Sequence, residues 1–371
     1  MKSQRRRLLV TGGAGFIGAN FVHYWRHHHP TDELVVLDAL TYAGNRMNLA
    51  DLESAQGLEF IHGDIVDQPL AERLIREREI DTVAHFAAES HVDRSIVGPD
   101  QFITTNVLGT HSLLKACRKV WIEEKKQHGH RFHHISTDEV YGSLEPDQPA
   151  FTEDSPYAPN SPYSASKAAS DHLVRAYFHT YGLQVTTTNC SNNYGPYHFP
   201  EKLIPLMIVN ALHGKPLPVY GDGRNVRDWL YVTDHCAAID LVLSAGTPGT
   251  TYNVGGDCER DNLTLIGLLC DLLDDAFVRR RDLCRRFRDA PAACGGKSAD
   301  LIAFVKDRPG HDRRYAIDSS LIRDELGFVP KVDLERGLRS TIEWYLANEA
   351  WWRAVMSGAY RDWVARNYAA R

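Results

Sequence analysis

The feature that most constrains the fold is a glycine-rich segment, Gly12-Gly-Ala-Gly-Phe-Ile-Gly18, between an apolar run and a helical pattern. Residues 7–10 are typical of a buried strand, and residues 15–28 are typical of a helix. Glycines with this spacing let a pyrophosphate approach backbone amides at a helix N-terminus. Asp38 follows the next predicted strand, residues 33–37, about twenty residues further along. The pattern therefore predicts a dinucleotide-binding βαβ unit. The alternative is a tight strand-to-helix turn without a ligand.

The acid at the end of the second predicted strand indicates which dinucleotide is bound. Asp38 is placed to accept hydrogen bonds from the adenosine ribose hydroxyls, and its charge would repel a 2′-phosphate. We therefore expect NAD rather than NADP.

The rhythm of strands and helices continues through the first half of the chain. Further strands are predicted at residues 58–61, 82–86, 132–136 and 185–189, with amphipathic helices between them. Strands that alternate with helices in this way form a parallel sheet covered on both faces. The predicted fold class is α/β, a Rossmann-type doubly wound parallel sheet with a smaller C-terminal α/β substrate lobe.

The composition changes from Tyr194 onward, where proline and glycine become frequent. This composition predicts short helices and long loops. We expect residues 1–193 to form the NAD-binding domain, with a segment near 226–255 returning to it. Residues 194–225 and 256–371 would then form the second, smaller lobe.

Composition excludes several other classes of protein. Hydrophobic residues make up 43% and charged residues 24% of the chain, which is ordinary globular usage. A formal net charge of −6 gives no electrostatic reason to expect a nucleic-acid or membrane partner. No apolar run approaches the ~18 residues of a spanning helix, and the basic start lacks a signal-peptide cleavage pattern. The expected location is the cytoplasm.

Cysteine and histidine spacing predicts no metal site. The seven cysteines are scattered without a C-x-x-C pair, so we expect reduced thiols rather than disulfides or bound zinc. The runs His27-His-His29 and His133-His134 have no carboxylate or thiolate at a suitable offset. Solvated or hydrogen-bonded histidines are the simpler interpretation.

A tyrosine and a lysine form the first candidate catalytic pair. Tyr163 and Lys167 are four residues apart, so they share one face of a helix that Asn160-Ser-Pro162 is expected to start. The lysine charge should lower the pKa of the tyrosine, and the phenolate could then act as a base towards an alcohol. By itself this spacing is common on helices.

Two adjacent acids form the second candidate element. Thr137, Asp138 and Glu139 follow the fifth predicted strand, and ligands bind at strand carboxyl ends in an open α/β sheet. Simple alcohol oxidation does not need two acids there. They suit the removal of a proton from carbon and the expulsion of a hydroxyl as water. The alternative is that one acid merely caps the next helix.

Longer segments carry a resemblance to a known family. The chain resembles the extended short-chain dehydrogenase/reductases and, within them, the dTDP-glucose 4,6-dehydratases. The similarity covers nearly the whole chain and is strongest at residues 40–45, 87–95, 136–142, 189–205, 227–231 and 307–318. It implies NAD-dependent oxidation of the sugar at C4, elimination of water across C5 and C6, and hydride return to C6. The product would be dTDP-4-keto-6-deoxyglucose, and NAD would stay bound and be recycled in each turnover.

The resemblance also implies residue roles. Tyr163 would take the 4-hydroxyl proton, Glu139 the C5 proton, and protonated Asp138 would protonate the leaving hydroxyl. Thr137 would bind the C4 oxygen, and Lys167 would hold the nicotinamide ribose. Cofactor contacts are implied for Gly12, Gly15, Phe16, Ile17, Gly18, Asp38, Leu40, Thr41, Asp64, Ile65, Ala87, Ala88, Ser90, Asn106, Tyr163, Lys167 and Asn193. Substrate contacts are implied for Ser90, His91, Thr137, Asn192, Lys202, Leu203, Pro218, Tyr220, Arg227, Asn262, Asp307, His311 and Tyr315.

Further expectations accompany these roles. Arg227 matches diphosphate oxygens in a bidentate manner, although a salt bridge that fixes the second lobe is the alternative for Arg227 and Arg308. Helices near residues 100–121 and 163–181 would form a homodimer through a four-helix bundle. Residues 276–306 depart from the family in their length and arginine content, and an exposed helix with a loop is the simpler interpretation of this segment.

Other functions remain open from the sequence. A UDP-sugar 4-epimerase or decarboxylase needs NAD, Tyr163 and Lys167 but no pair of acids. Another nucleotide-sugar 4,6-dehydratase would use the same residues on a different nucleotide. A more distant possibility is a non-catalytic NAD(H)-sensing module.

Overall fold

The central sheet sets the position of every candidate residue. A computed structural model describes residues 5–52, 56–125 and 129–356. Seven strands pair in the order β3-β2-β1-β4-β5-β6-β10, and all neighbours are parallel. The strands are Arg7–Thr11 (β1), Glu33–Asp38 (β2), Leu58–His62 (β3), Thr82–His85 (β4), Arg131–Thr137 (β5), Val185–Cys190 (β6) and Thr251–Val254 (β10). The predicted doubly wound parallel sheet is confirmed.

Helices cover both faces of this sheet, as a buried parallel sheet requires. They are Phe16–His28 (α1), Gln68–Glu77 (α2), Val92–Val97 (α3), Asp100–Phe102 (α4), Thr110–Cys117 (α5), Pro162–Tyr181 (α6) and Val232–Ala245 (α8). Two segments are π-helical: Ile103–Gly109, which joins α4 to α5, and Arg118–Glu123, which continues α5. Together these segments form one long helical stretch. One apolar core lies between the sheet and α2, α5 and α6, and the other between the sheet and α1 and α8.

The strand order reverses between β1 and β4. From β1 the chain runs outward through β2 and β3, and it then crosses back to β4, β5 and β6 on the other side. Ligands of open α/β sheets bind at the carboxyl ends of the strands at such a switch point. The segments after Thr11 and His85 therefore frame the expected site.

The remaining strands form two small sheets. Asn192–Tyr194 (β7), Val226–Tyr231 (β9) and Glu259–Asp261 (β11) pair in the order β11-β9-β7, and Leu217–Tyr220 (β8) pairs in parallel with Ile302–Val305 (β12). Helices of this part are Leu203–Leu212 (α7), Asn262–Arg279 (α9), Leu283–Arg286 (α10), Ser320–Leu326 (α11), Leu334–Ala347 (α12) and Glu349–Val355 (α13). The apolar faces of α7, α9, α10, α12 and α13 share a separate buried core, whereas Ile322 of α11 packs with residues of α8 and β10.

The prediction of uniformly short helices after Tyr194 is wrong. Helix α9 has 18 residues and α12 has 14. The prolines lie mostly in the connections, and Pro205 occupies the first turn of α7, where its missing N–H leaves no helical hydrogen bond unmade. Long leucine-rich stretches between the prolines therefore stay helical.

The arginine-rich segment lies at the surface of this second part. Arg279 and Arg280 both pair with Glu343, and Arg286 pairs with Glu349 of α13. The segment comprises the end of α9, the short helix α10 and loops with two turns of 3₁₀ helix. The prediction of an exposed helix with a loop is correct only in part, because residues 302–305 form β12, and Phe277, Leu283 and Phe287 are buried in the core of the second part. In the part of the chain that the structure describes, no helix is both long and apolar enough to cross a bilayer.

Candidate active site

A single cavity follows the carboxyl edge of the sheet across the switch point. Its wall takes residues from the β1–α1 turn, from the ends of β2, β4 and β5, and from the start of α6. Residues 190–193 and 198–203 close it from the side of the second part. The cavity therefore brings the glycine motif, the acid pair and the Tyr163/Lys167 pair together.

The glycine turn places backbone, rather than side chains, against this cavity. Gly12 has φ of +69°, and a Cβ there would lie 2.5 Å from the backbone nitrogen of Ala87. A Cβ on Gly18 would lie 2.2 Å from the carbonyl oxygen of Gly12. Helix α1 starts after Gly15 without a side-chain cap, so its first amides are left for an anion.

Asp38 is the last residue of β2, and its side chain lies beside the glycine turn. Its carboxylate accepts hydrogen bonds from the backbone amides of Ala14, at 2.9 Å, and Leu40, at 2.8 Å. Burial raises its pKa, and these two bonds oppose that effect. Asp38 lines the cavity together with Asp64 and Ile65. An uncapped helix start, a carboxylate and an apolar wall fit the pyrophosphate, ribose and adenine of NAD.

Most of the predicted cofactor residues line this cavity, and two do not. The lining set comprises Gly12, Gly15, Phe16, Ile17, Gly18, Asp38, Thr41, Asp64, Ile65, Ala87, Ala88, Ser90, Tyr163, Lys167 and Asn193. Leu40 instead donates its amide to Asp38. Asn106 is buried, exchanges hydrogen bonds with the backbone of Glu89 and donates to the hydroxyl of Ser166. Asn106 thus ties the β4 loop to α6.

Helix α6 presents the Tyr/Lys pair to the cavity. It begins at Pro162 after Ser161, whose side chain forms a reciprocal capping box with Ser164. The predicted helix start is confirmed. Lys167 Nζ donates to the carbonyl oxygen of Ile135 at 2.8 Å and lies 3.4 Å from His134 Nε2. Burial lowers the pKa of Lys167 to about 8, and the nearby Asp171 carboxylate opposes this shift.

The predicted lowering of the pKa of Tyr163 is wrong. Burial raises the pKa of Tyr163 well above its ordinary value, and the charges of Glu139 and Asp138 raise it further. A hydrogen bond from Thr137 is the influence that opposes them. The reason is spatial, because the Lys167 ammonium is directed to the carbonyl oxygen of Ile135 and towards Asp171.

The two acids lie in a turn of 3₁₀ helix, Asp138–Tyr141, directly after β5. Thr137 is the cap of this turn, because its Oγ1 accepts the amide of Glu139 at 3.3 Å. The same hydroxyl donates to Asp138 Oδ1 at 3.3 Å. Asp138 Oδ2 is buried and has no hydrogen-bond partner among the described residues. Neither acid is therefore used to cap the turn.

The surroundings of the two acids differ in charge. Burial raises the pKa of Asp138 well above its usual range, and the neighbouring Glu139 and Asp228 raise it further, against Arg227 and the hydrogen bond from Thr137. Burial also raises the pKa of Glu139, but three cations oppose it, Arg308, Arg227 and Lys202. A protonated Asp138 beside an ionised Glu139 is the arrangement that these charges favour.

The predicted substrate residues fall into two groups. Ser90, Thr137, Asn192, Lys202 and Leu203 line the cavity, and Lys202 Nζ donates to the carbonyl oxygen of Ser90 at 2.9 Å. The others do not belong to its wall: His91, Pro218, Tyr220, Arg227, Asn262, Asp307, His311 and Tyr315. Several of these lie together, because Tyr220 bonds to Asp93, Arg308 pairs with Asp93, and the ring of His311 packs near that of Tyr220.

Arg227 and Arg308 differ in their partners. The Arg227 guanidinium lies 4.2 Å from the Tyr315 ring centre and donates to the backbone oxygens of Val226 and Asp312. No ion pair between described residues uses Arg227. Arg308 pairs with Asp93 at 3.1 Å, so the salt-bridge alternative applies to Arg308.

Tyr42, His198 and Glu201 are among the residues of the cavity wall that sequence reasoning missed. Glu201 is buried and pairs with Arg94 at 2.9 Å. Tyr42 and Glu201 lie inside the segments 40–45 and 189–205 that carry the family resemblance. A rule that tests every acid within such segments would have found Glu201, whereas nothing local in the sequence indicates that His198 faces the cavity.

A nucleotide cradle at the switch point, a Tyr/Lys pair on the helix after β5 and a Rossmann sheet define an NAD-binding protein of the extended short-chain dehydrogenase/reductase class. The family model of GDP-mannose 4,6 dehydratase matches residues 9–341. A dTDP-glucose 4,6-dehydratase of Xanthomonas campestris is 56% identical over 95% of this chain and 97% of its own. The enzyme of the same name from Escherichia coli K12 is 51% identical over 98% and 99%.

Solved structures agree with these relatives. A dTDP-glucose 4,6-dehydratase from Streptomyces venezuelae, determined with NAD bound, is 48% identical, has a TM-score of 0.83 and covers 94% of this chain and 99% of its own. A UDP-glucose 4-epimerase from Thermotoga maritima is 25% identical with a TM-score of 0.78, covering 92% and 99%. The chain belongs to the dTDP-glucose 4,6-dehydratase family.

Proposed function

We propose that this protein converts dTDP-glucose into dTDP-4-keto-6-deoxyglucose and water. The observation that carries the proposal is the presence of Asp138 and Glu139, in surroundings of different charge, in one cavity with Tyr163 and Lys167. The relatives named dTDP-glucose 4,6-dehydratase supply the nucleotide and the sugar.

Tyr163 and Thr137 begin the reaction. A hexose C5 proton is too weakly acidic to remove until C4 is a ketone, so oxidation at C4 comes first. Because burial raises the pKa of Tyr163, its phenolate forms only when positive charge, such as that of bound NAD⁺, lies close to it. In that form Tyr163 takes the proton of the 4-hydroxyl, and Thr137 donates a hydrogen bond to the C4 oxygen. Bound NAD⁺ supplies the hydride acceptor at C4 and later the hydride donor at C6. Lys167 holds the nicotinamide ribose.

The acid pair carries out the elimination. Glu139 removes the C5 proton, which the 4-ketone has made acidic, and Asp138 protonates the departing C6 hydroxyl. After hydride return to C6, Glu139 gives its proton back to C5. Substrate and product have the same oxidation level, so the cofactor needs no second substrate and stays bound between turnovers.

The substrate diphosphate would be held on the side of the second part. Lys202, which is half-buried, lines the cavity there, and the charges of Arg227 and Arg308 lower the pKa of Glu139. We propose that these cations, with Asn262, Asp307, His311, Tyr315, Pro218 and Tyr220, surround the nucleotide when it binds. Arg227 gives bidentate hydrogen bonds to phosphate oxygens in this arrangement.

The same family resemblance leads us to propose a homodimer. Four apolar side chains on α3 and on the helical stretch that follows it are exposed: Ile96 at 38%, Val97 at 76%, Ile103 at 47% and Leu108 at 50%. The outer face of α6 ends in the half-exposed Tyr181. A four-helix bundle between two copies would bury these side chains.

The cytoplasm stays our proposed compartment. All seven cysteines are free thiols, and several are buried in the two cores. Free thiols of this number are typical of a reducing environment.

A 4-epimerase is the second candidate because the Thermotoga structure shares the fold. It needs Tyr163, Lys167 and NAD, but its chemistry has no use for a protonated Asp138 beside an ionised Glu139. We therefore favour the dehydratase.

Incubation of the purified protein with dTDP-glucose tests the proposal. A 4-keto-6-deoxy sugar is detected by its absorbance in alkali, and UDP-glucose is assayed in parallel. We expect product from dTDP-glucose and none from Tyr163→Phe. Product from UDP-glucose alone would overturn the nucleotide, and a 4-epimer without a ketone would overturn the reaction.

A further inference from the structure

Asn193 is a residue of the cavity wall whose hydrogen bonds fix the orientation of its side-chain amide. It lies in β7, lines the cavity and is 9% exposed. Its Nδ2 donates to the carbonyl oxygen of Ser191 at 2.9 Å, and its Oδ1 lies 3.0 Å from His235 Nδ1. A carbonyl oxygen can only accept a hydrogen bond. The amide atom that faces Ser191 must therefore be the nitrogen, which leaves Oδ1 facing His235.

His235 reaches Asn193 because α8 begins directly after β9. Strand β9 pairs with β7, and its last residue, Tyr231, is in register with Tyr194. Helix α8 starts at the next residue, so its first turn lies beside β7. The ring of His235 is fully buried at this place. The contact between His235 and Asn193 thus follows from the way the two strands pair.

This contact also fixes the position of the proton on His235. Because Asn193 Oδ1 is an acceptor, His235 Nδ1 must carry a proton. Burial lowers the pKa of His235 to about 3, so the ring is neutral and its Nε2 is a bare lone pair. His235 Nε2 is buried without a hydrogen-bond partner among the described residues, which agrees with a lone pair there. The ring is therefore a fixed donor to Asn193 and neither gains nor loses a proton near neutral pH.

The two bonds leave one group of the Asn193 amide for a ligand. Oδ1 accepts from His235, and one Nδ2 hydrogen is donated to Ser191, so the second Nδ2 hydrogen has no partner in the part of the chain that the structure describes. A ligand atom that meets this hydrogen must be an acceptor. NAD and a nucleotide sugar both carry acceptor oxygens on their phosphates. An unrestrained asparagine, by contrast, could turn its amide and offer an oxygen, which repels such atoms.

We propose that His235 is a positioning residue, which holds the Asn193 amide so that its second N–H donates to an acceptor oxygen of a nucleotide bound in the cavity. Without His235, Asn193 Oδ1 would lack its donor in a buried place, and this favours other orientations of the amide. The inference rests on the proposed function and adds to it a residue that acts through Asn193 from behind the cavity wall.

Nucleotide binding to the holoenzyme tests the proposal, because it needs no turnover. The rate at which NAD leaves the holoenzyme and the affinity of the holoenzyme for dTDP are measured first in Asn193→Ala. We expect a change of about 10-fold for the nucleotide that Asn193 contacts. His235→Phe should weaken the same nucleotide, and the double variant should bind it no more weakly than Asn193→Ala alone. Unchanged binding of both nucleotides in Asn193→Ala, or additive losses in the double variant, would overturn the proposal.

Two further variants separate positioning from general damage to the fold. In His235→Asn the side-chain Nδ2 takes the place of His235 Nδ1, so the donor is kept and binding should return to that of the wild type. His133→Phe is the matched control, because His133 is also fully buried but bonds to Thr186 and Thr188, and both nucleotides should bind normally. Binding in His235→Asn as weak as in His235→Phe would contradict the role of the N–H donor.

If His235→Phe fails to fold, nitrogen-15 NMR of the histidine-labelled wild type decides the question. The two neutral tautomers of histidine differ in their nitrogen chemical shifts, and we expect the proton of His235 on Nδ1. A proton on Nε2 would overturn the proposal. Failure of the proposed function itself would appear separately, as no 4-keto product from the wild type.

Discussion

Asp138 and Glu139 are neighbours with the same functional group, and their surroundings give them different roles. Asp138 is buried beside two further acids, Glu139 and Asp228, whereas Glu139 faces three cations. The identity of these residues was readable from the sequence, because they follow a predicted strand. The protonation states of the two acids could not be predicted from the sequence, because Asp228, Arg227 and Arg308, which influence them, come from distant parts of the chain.

Replacement of Glu139 by glutamine removes the proposed base at C5. We expect kcat to fall by about 10²- to 10⁴-fold, as for the loss of a general base, and C5 of the bound sugar to stop exchanging its proton with D₂O. Proton NMR or mass spectrometry of recovered sugar measures the exchange.

Asp138→Asn is the matched control for this experiment. Its loss should block the departure of the C6 hydroxyl while Glu139 still exchanges the C5 proton. Near wild-type turnover in Glu139→Gln, or loss of exchange only in Asp138→Asn, would contradict the assignment of the base.

The ionisation of Lys167 should determine the alkaline limb of the pH profile of kcat/KM. Burial lowers its pKa to about 8, so the ammonium that holds the ribose loses its proton as the pH rises through about 8. We expect kcat/KM to fall above that pH. Because the Asp171 carboxylate raises the pKa of Lys167, Asp171→Asn should move the fall to lower pH. The exposed Asp271 on α9 offers a control, and an unshifted limb in Asp171→Asn would refute the coupling.

At the scale of elements, the sequence predicted those helices, strands and turns that depend on residues close together in the chain. The glycine turn, strands β1 to β6 and the start of α6 were predicted, because each depends on apolar periodicity and on capping residues nearby in sequence. The long helices α9 and α12 were missed, because the proline and glycine content of the second part was taken to indicate short helices, whereas most of these prolines lie in the connections. The pKa of Tyr163 was also predicted wrongly, because the burial and the nearby Glu139 charge that raise it depend on the folded site and have no local signal around Tyr163.

Helix α6 carries both Tyr163 and Lys167, so the stability of its first turn matters for the site. Ser161→Ala removes the capping box with Ser164 and should lower the free energy of unfolding by about 1 kcal/mol. Urea denaturation followed by circular dichroism measures the change. Ser112→Ala, inside α5, should change it by less than about 0.5 kcal/mol. Equal effects of the two substitutions would show that the cap contributes nothing.

At the scale of the whole molecule, the cavity depends on both parts of the chain. Glu201 and Lys202 come from the segment before α7, yet they contact Arg94 of α3 and Ser90 of the loop after β4. The indole of Trp351 in α13 donates to Asn48 at 2.7 Å, which links the last described helix to the first part. The sequence predicted two units, but such long-range contacts have no local signal.

The proposed dimer makes a prediction at this scale. Val97→Glu places a charge on the exposed apolar helix face and should convert the dimer to a monomer in sedimentation or light-scattering measurements. Phe304→Glu is the control, because Phe304 on β12 is 60% exposed but lies outside these helices. A wild-type protein of monomer mass, or a Val97→Glu variant that stays dimeric, would contradict the assignment of this face.

The central claim is that one active site oxidises C4, removes water across C5 and C6, and returns the same hydride to C6. It is tested most directly with dTDP-glucose that carries deuterium at C4, incubated in ordinary water with the enzyme and its bound NAD. We expect the product to be a 4-keto-6-deoxy sugar with the deuterium at C6 and a proton from solvent at C5. Deuterium lost to solvent or to free NADH, or returned to C4 in a 4-epimer, would contradict the claim.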